Sequence, residues 1–450
     1  MRRTVFVLLA ALVSVASSQW LETIVRLPDT FPPWDICYCS GVNKVLCVGG
    51  NRVLVIDGLT NTLTATISVE PAGDRLIYNP DTRRAFCAHE YWRGPLTVID
   101  VDGDSVLRAL PVPGGNHMSL CHNPHDNKVY YAHDLGASDS CLYVVDGSGD
   151  SIIANLAAGG SQGLCYNPAN NSVYCSESGR DRVAVVDGDT NAIRRYVQVG
   201  DFPTELGVCP RYNRVFCANL IGASLTVIDG HADTVLRTVA TSNQQVISCH
   251  DGIRHRVYCP VSEQDLYAID CRTGVAVETM HVSSSWMGAM HHNSVNDRVY
   301  IPYYGRMTIL DPSTGNVDSV IEVPGWRGGG LVAWDSVQNK TFWCVDSADS
   351  SSIHYAIAVL RDSGGGVEES REPQAVGRKQ EASVVRGVLV LPQASSRKPQ
   401  ATSLLDASGR EVMELQAGPN DVRSLAPGVY FARRATGEGR VANSKVIVTR

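Results

Sequence analysis

The 450-residue chain predicts an all-β fold, an eight-bladed β-propeller followed by a small C-terminal β-sandwich. Three observations carry this. An aspartate closing a "VID"-like strand recurs at Asp57, Asp100, Asp146, Asp187, Asp229, Asp270 and Asp311, spaced 41–46 residues apart. Each unit reads as four short strands rich in β-branched and aromatic residues, with no helical periodicity. After residue 360 the period stops and a second module of short alternating strands begins.

Within a unit the first strand is short and apolar, as in "GLCYNP" or "ELGVCP". A turn rich in Asn, Pro and Asp follows, and then a second strand such as "VYCSE" or "VFCAN". The third strand is "LTVIDG" or "VAVVDG", and a turn such as "DGDTN" leads to a polar fourth strand, "AIRRYVQV". One such sheet cannot bury both faces alone, whereas sheets stacked around an axis cover one another. The inner hairpin occurs eight times, beginning near Ile36, Leu76, Met118, Gly163, Leu206, Val246, Met290 and Leu331. "LETIVRLP" at residues 21–28 reads as a stray fourth strand, and "IHYAIAVL" at 353–360 as a third strand without a successor. The N-terminal strand is therefore expected to complete the last blade. Seven blades is the alternative if the terminal hairpin is a cap.

The expected domains are a signal peptide at 1–18, the propeller at 20–360, a linker at 361–382 and the C-terminal module at 383–450. Arg2 and Arg3 precede an apolar run at residues 5–15, the form of a secretory leader with cleavage near Ser18–Gln19. No segment reaches the ~18 apolar residues of a membrane helix, so the mature chain is expected to be soluble and exported, without a span. Formal net charge is −7. Residues 361–450 carry +4 and residues 4–360 carry −13, an acidic body that argues against nucleic acid as partner.

The repeat "VFCANLIGASLTVIDGHADTVLRTVAT" and the "VLVIDGLTNTLTATISV" of residues 53–69 resemble the YVTN/YncE-type β-propeller repeat. That resemblance implies a propeller over roughly residues 20–360 and is silent on activity, because the fold hosts binding proteins, lyases and lactonases. "LDASGR" at 405–410, "GPN" at 418–420, "LAPGVYF" at 425–431 and "KVIV" at 445–448 resemble the C-terminal sorting domain of type IX secretion substrates. This implies recognition of residues 383–450 by that secretion machinery, and release from or attachment to the surface of a bacterium with an outer membrane. An ordinary Ig-like accessory domain is the alternative.

The seven repeated aspartates read as structural, each accepting N–H bonds of the turn it begins. Fourteen cysteines in an exported chain suggest disulfides, but their positions suggest free, buried thiols. Cys47, Cys87, Cys175, Cys217, Cys259 and Cys344 share one place in the second strand, and Cys39, Cys121, Cys165, Cys209 and Cys249 recur in the first. Neighbouring sheets pack ~10 Å apart and a disulfide needs Cα atoms within ~7 Å, so bonding between blades is not expected. Cys37 and Cys39 are read as pointing to opposite faces. CxxC metal spacing is absent, and no metal or cofactor is expected.

A binding site is expected at the mouth formed by the two-to-three and four-to-one loops. Candidates are His89, Glu90, His133, Asp134, His117, Glu177, Arg75 and Trp286, a set suited to a protein, a glycan or a polar small molecule. His89–Glu90 and His133–Asp134 occupy equivalent places in adjacent blades, a pattern that could hold a metal or an acid–base pair. There is no nucleophile elbow, phosphate-cradling glycine loop or HExxH, so no catalytic residue is assigned. The functional expectation is a cell-surface or secreted binding scaffold, with a propeller enzyme of lyase or lactonase type as the alternative.

Overall fold

The repeat forces each unit into an antiparallel meander whose second and third strands are apolar on both faces. In a computed structural model these become sheets covered on both sides, and Ser172–Glu177 is buried at every residue. The fourth strands are polar and lie at the rim, as in Thr234–Ala240, where most residues are exposed. The structure describes residues 19–362, apart from 29, 91–93, 113–115, 135–140, 159–162, 242–248, 263, 283–288 and 349–351, and the strands between 383 and 449. The expected leader lies outside the described residues, as does the expected linker from residue 363 on; residues 361 and 362 belong instead to the strand Ile353–Asp362.

Eight four-stranded sheets follow one another along the chain. Blade 1 is Asp35–Cys39, Lys44–Gly49, Arg52–Asp57 and Thr62–Ser68, and blades 2–7 repeat that order. Blade 8 takes three strands from the end of the ring, Val332–Asp335, Lys340–Ala348 and Ile353–Asp362. Its outer strand is Gln19–Arg26, which pairs antiparallel with Ile353–Asp362. The ring has eight blades, as the count of inner hairpins predicts, and not seven.

No single core exists. Eight separate apolar clusters each mix residues of two adjacent blades. Val45, Cys47 and Leu54 of blade 1, for example, pack with Phe342, Cys344 and Ile357 of blade 8. In seven blades the pairing of third and fourth strands shifts register two residues before the repeated aspartate, leaving Thr64, Leu107, Ile153, Arg194, Leu236, Val277 and Asp318 as bulged residues. A bulge raises local twist, which lets the outer strand turn away from the axis.

A polar ladder joins the blades on the face that carries the one-to-two and three-to-four turns. The inner strand ends in Asn79, Asn123, Asn167 or Asn293, and the amide oxygen accepts an N–H of its own turn, as from Asp81 at 3.0 Å and Ala169 at 3.1 Å. Its amide nitrogen donates into the next blade: Asn79 to Asn127 at 2.8 Å, Asn123 to Asn171 at 3.0 Å, Asn167 to Asn213 at 2.6 Å and Asn293 to Asn339 at 2.7 Å. The four acceptors all have left-handed backbones, φ between 46° and 53°, which Asn tolerates better than most residues. A glycine follows the repeated aspartate wherever that left-handed residue is Asn, because a Cβ at Gly147 or Gly230 would lie 2.0 or 2.1 Å from the amide oxygen.

The C-terminal unit forms separately; the chain divides into compact units at residues 1–366 and 367–450. It is a small sandwich of a five-stranded and a two-stranded sheet. Ser383–Arg386 pairs parallel with Val441–Thr449, and Val388–Leu391 pairs antiparallel with Gly418–Asp421.

Ring closure has a charged bolt. Lys340 is fully buried and donates to the carbonyls of Gly58 at 2.9 Å and Leu59 at 3.2 Å and to Asn61 Oδ1 at 2.9 Å, with Glu22 at 3.7 Å. Lys340→Met leaves the buried Gly58 carbonyl without a donor, at ~1–3 kcal/mol, and strips the part-buried Leu59 and Asn61 oxygens of theirs. It should lower unfolding free energy by about 3 kcal/mol in denaturant titration. Glu22→Gln should cost less, because Glu22 is partly exposed and is also held by Arg361 at 3.1 Å.

Candidate functional site

Strand alternation decides where each candidate side chain goes. His89 ends a second strand but is fully buried. Its Nδ1 lies 3.3 Å from the carbonyl of Pro71 and its Nε2 2.9 Å from the Thr97 hydroxyl. A carbonyl only accepts, so Nδ1 carries the hydrogen and Nε2 accepts from Thr97. Burial pulls the His89 pKa down, keeping it neutral. His133 is buried too, its ring 5.5 Å from Tyr131 and 5.7 Å from Tyr143. The two histidines thus belong to blade interiors, and Glu90 beside His89 is exposed. Glu177 is buried and held by Arg180 at 3.1 Å and by Arg182.

Asn116–Asn123 and Lys128–Asp134 place the backbones of His117 and Asp134 at the mouth end of blade 3, while their side chains, and Trp286 entirely, lie outside the described residues. Arg75 is at the mouth, its guanidinium 3.3 Å from the Asp74 carboxylate. Asp35, not among the expected residues, accepts the N–H of Ile36 and that of Leu76 in the next blade, both at 2.8 Å. Burial pushes its carboxyl up to about 6. Glu205, at the equivalent place in the inner strand of blade 5, Pro203–Cys209, is pushed up to about 7 by burial, opposed by the positive field of Arg75. Arg327 and Asp346 bridge through their backbones in blade 8, at 2.5 and 2.8 Å. The mouth is thus lined by charge of both signs from several blades. Exposed aromatic rings stand at the same end: Trp34 of blade 1 and Tyr304 of blade 7, whose ring meets Tyr303 edge-on at 4.8 Å.

The seven repeated aspartates lie at the opposite face. Asp57 accepts the N–H of Leu59 at 3.1 Å and of Thr60 at 2.7 Å, Asp100 that of Asp102, and Asp146 that of Ser148. Asp187, Asp229, Asp270 and Asp311 accept those of Thr190, His231, Thr273 and Ser313.

Three cysteine readings need correction. Cys37 and Cys39 are two residues apart on a strand and so share a face; both pack on the same apolar cluster, thiol to thiol. Cys47 and Cys344, on neighbouring blades, also meet sulfur to sulfur, because sheets radiating from an axis converge toward it. The thirteen described cysteines are free. The first-strand cysteines are not one set either. Cys121, Cys165 and Cys249 pair with Tyr130, Tyr174 and Tyr258, whereas Cys39 and Cys209 occupy the strand's last place, pairing with Lys44 and Arg214.

Side chains that sequence reasoning did not connect meet on the ladder face. Cys209, His250 and Cys271 bring two sulfurs and one ring nitrogen within 4.8 Å of one another. The Cys209 thiol is pulled down to about 4, chiefly by the facing Cys271 thiol and further by the nearby His250 ring, while Cys271 is pushed up by the same contact and by burial. The signal for this cluster was its departure from the repeat, Cys for Asn at 209 and Cys for Gly at 271. Two other acidic groupings already hold protein cations. Asp251 and Asp297 are bridged by Arg254 at 3.2 and 2.6 Å, and Asp126 is 3.7 Å from Lys128.

Glu205 gives the mouth a pH signature. An unfolded chain loses this proton near the ordinary 4.5, and the native chain holds it to about 7. Between those values the native state binds more protons, so stability falls as pH rises. Glu205→Gln should flatten that decline, read as melting temperature against pH.

No protein-family model matches the chain, and no curated protein matches it. Solved structures do. Dihydro-heme d1 dehydrogenase NirN, in complex with DHE, superposes with TM-score 0.57 at 14% identity, over 89% of this chain and 78% of that one. The C-terminal WD40 domain of Sif2 gives 0.57 at 11%, over 75% and 99%. BamB from Moraxella catarrhalis gives 0.54 at 12%, over 76% and 99%. At such identities the likeness is one of architecture, and this chain is a repeat-built β-propeller.

Proposed function

We propose that the propeller is an exported binding scaffold whose mouth takes a neutral, polyhydroxylated ligand, a glycan. The observation that carries this reading is the lining: exposed Trp34 and Tyr304 rings at the same end of the ring as the Arg75–Asp74 ion pair. Sugar rings stack their C–H faces on aromatic rings, and their hydroxyls bond carboxylate and guanidinium groups; a mouth of mixed sign favours no single ionic charge. The enzyme alternative gains no support from His89 and His133, which are held inside their blades.

Residues 383–450 are proposed to deliver the protein through the type IX secretion machinery to the cell surface or the medium, on the resemblance of their turn and strand motifs. The protein and small-molecule classes of partner are competitors in the binding test.

Isothermal titration against a glycan panel should find a ligand whose affinity drops about tenfold or more in Trp34→Ala and Tyr304→Ala, with melting temperatures unchanged. Absence of any glycan binding, or binding indifferent to both changes, would refute the glycan reading. Deleting 383–450 should leave the propeller folded but retained inside the outer membrane, measured by cell fractionation; normal release would remove the sorting role.

A further inference from the structure

We infer that Cys209, His250 and Cys271 form a site for a thiophilic divalent cation, of which Zn²⁺ is the type, at the joint between blades 5 and 6. Three observations converge on it.

The first is the donor geometry. Zn²⁺ binds thiolate at ~2.3 Å and imidazole at ~2.0–2.1 Å in tetrahedral sites, so ligand atoms sit about 3.5–4 Å apart. Two sulfurs and a ring nitrogen lying mutually within 4.8 Å meet that need with small side-chain adjustments. Cys37–Cys39 and Cys47–Cys344 also bring sulfurs together, but among the described residues only the 209–271 pair has an imidazole in the triangle. A disulfide between the two would leave that imidazole without a task.

The second is the exchange of a whole joint. At joints 2/3, 3/4 and 4/5 the equivalents are an inner-strand Asn, a left-handed Asn and a Gly after the repeated aspartate, such as Asn167, Asn213 and Gly230. At joint 5/6 the same three places hold Cys209, His255 and Cys271. His255 keeps the left-handed backbone, φ 54°, but its ring packs edge-on against Tyr212 at 5.6 Å. The space that Asn213 fills beside Gly230 is therefore open to the Cys271 side chain, which is fully buried. The ladder is not merely lost here, because a different set of donor atoms stands in its place.

The third is unmet valence and charge. His250 Nε2 is sealed from solvent without a hydrogen-bond partner. The Tyr212 N–H points at the Cys209 sulfur and would orient it as a ligand. Two thiolates and a divalent cation are together neutral, which suits a buried site. Binding would release to solvent the protons that the ligand atoms still carry and leave a fourth position for water.

The test uses the full chain, reduced, stripped with chelator and titrated with Co²⁺ and then Zn²⁺. One equivalent of Co²⁺ should give the intense visible bands of a tetrahedral site with thiolate-to-metal charge transfer, and Zn²⁺ should bleach them. Cys209→Ser and Cys271→Ser should abolish the bands, His250→Ala should weaken binding about 10–100-fold, and Cys47→Ser should change nothing. The triple change Cys209→Asn, His255→Asn, Cys271→Gly restores the ladder, so it should fold and bind no metal. The inference is overturned if wild type gives no saturable bands, if the bands survive in the triple variant, or if denatured, unreduced protein shows twelve free thiols instead of the fourteen in its sequence with 209 joined to 271 by peptide mapping.

Discussion

The amide ladder from inner strand to neighbouring turn is the interaction on which the ring depends. The blades meet through apolar faces, and apolar burial supplies free energy without direction. Two such sheets could slide or rotate while keeping most of their contact. The Asn side chain stops this because its oxygen is committed to its own turn and its nitrogen to the next blade. Each such bond is worth only ~1 kcal/mol net, but a misplaced blade would bury an unpaired amide. The repeat supplies the partner chemistry in step: a left-handed Asn beyond the strand and a Gly where the amide must fit.

At joints 1/2, 5/6 and 6/7 all three places of the ladder are exchanged, whereas joint 7/8 keeps Asn293 and Asn339. Between blades 6 and 7, Arg254 bridges Asp251 and Asp297, and His292 stands 3.1 Å from Asp297. Between blades 7 and 8, Asp362 stands in the place of the glycine and joins Asn293 at 3.1 Å. Between blades 1 and 2 the three places hold Cys39, the left-handed Arg83 and Val101; Cys39 and Val101 share an apolar cluster, and Lys44 reaches across to Asp104 at 2.7 Å. At those three joints the places vary together, as a shared physical contact favours.

The period, the strand order and the borrowed outer strand of blade 8 were legible in the sequence because two-sided burial writes long apolar runs and the turns punctuate them. The placement of side chains was less legible. A one-residue step in register carries a side chain to the other face of its sheet. His89 and His133 therefore read as loop residues, yet they lie inside their blades. The error over Cys37 and Cys39 came from misreading that same alternation. The approach of Cys47 to Cys344 depends on the angle between blades, which no single strand encodes. Asp35 went unnoticed since its role, receiving the N–H of Leu76, lies in the next blade. The 209–250–271 cluster was visible only as a departure from a pattern, once the pattern's own purpose was known.

The borrowed strand has a further consequence. Gln19 lies opposite Asp362 in the seam, so the propeller's covalent entrance and exit coincide at one edge. A short peptide joining them would impose almost no closure entropy, and new ends could be opened at any exposed turn between blades. Topologically the ring has no privileged beginning, and a circularly permuted gene would encode the same molecule.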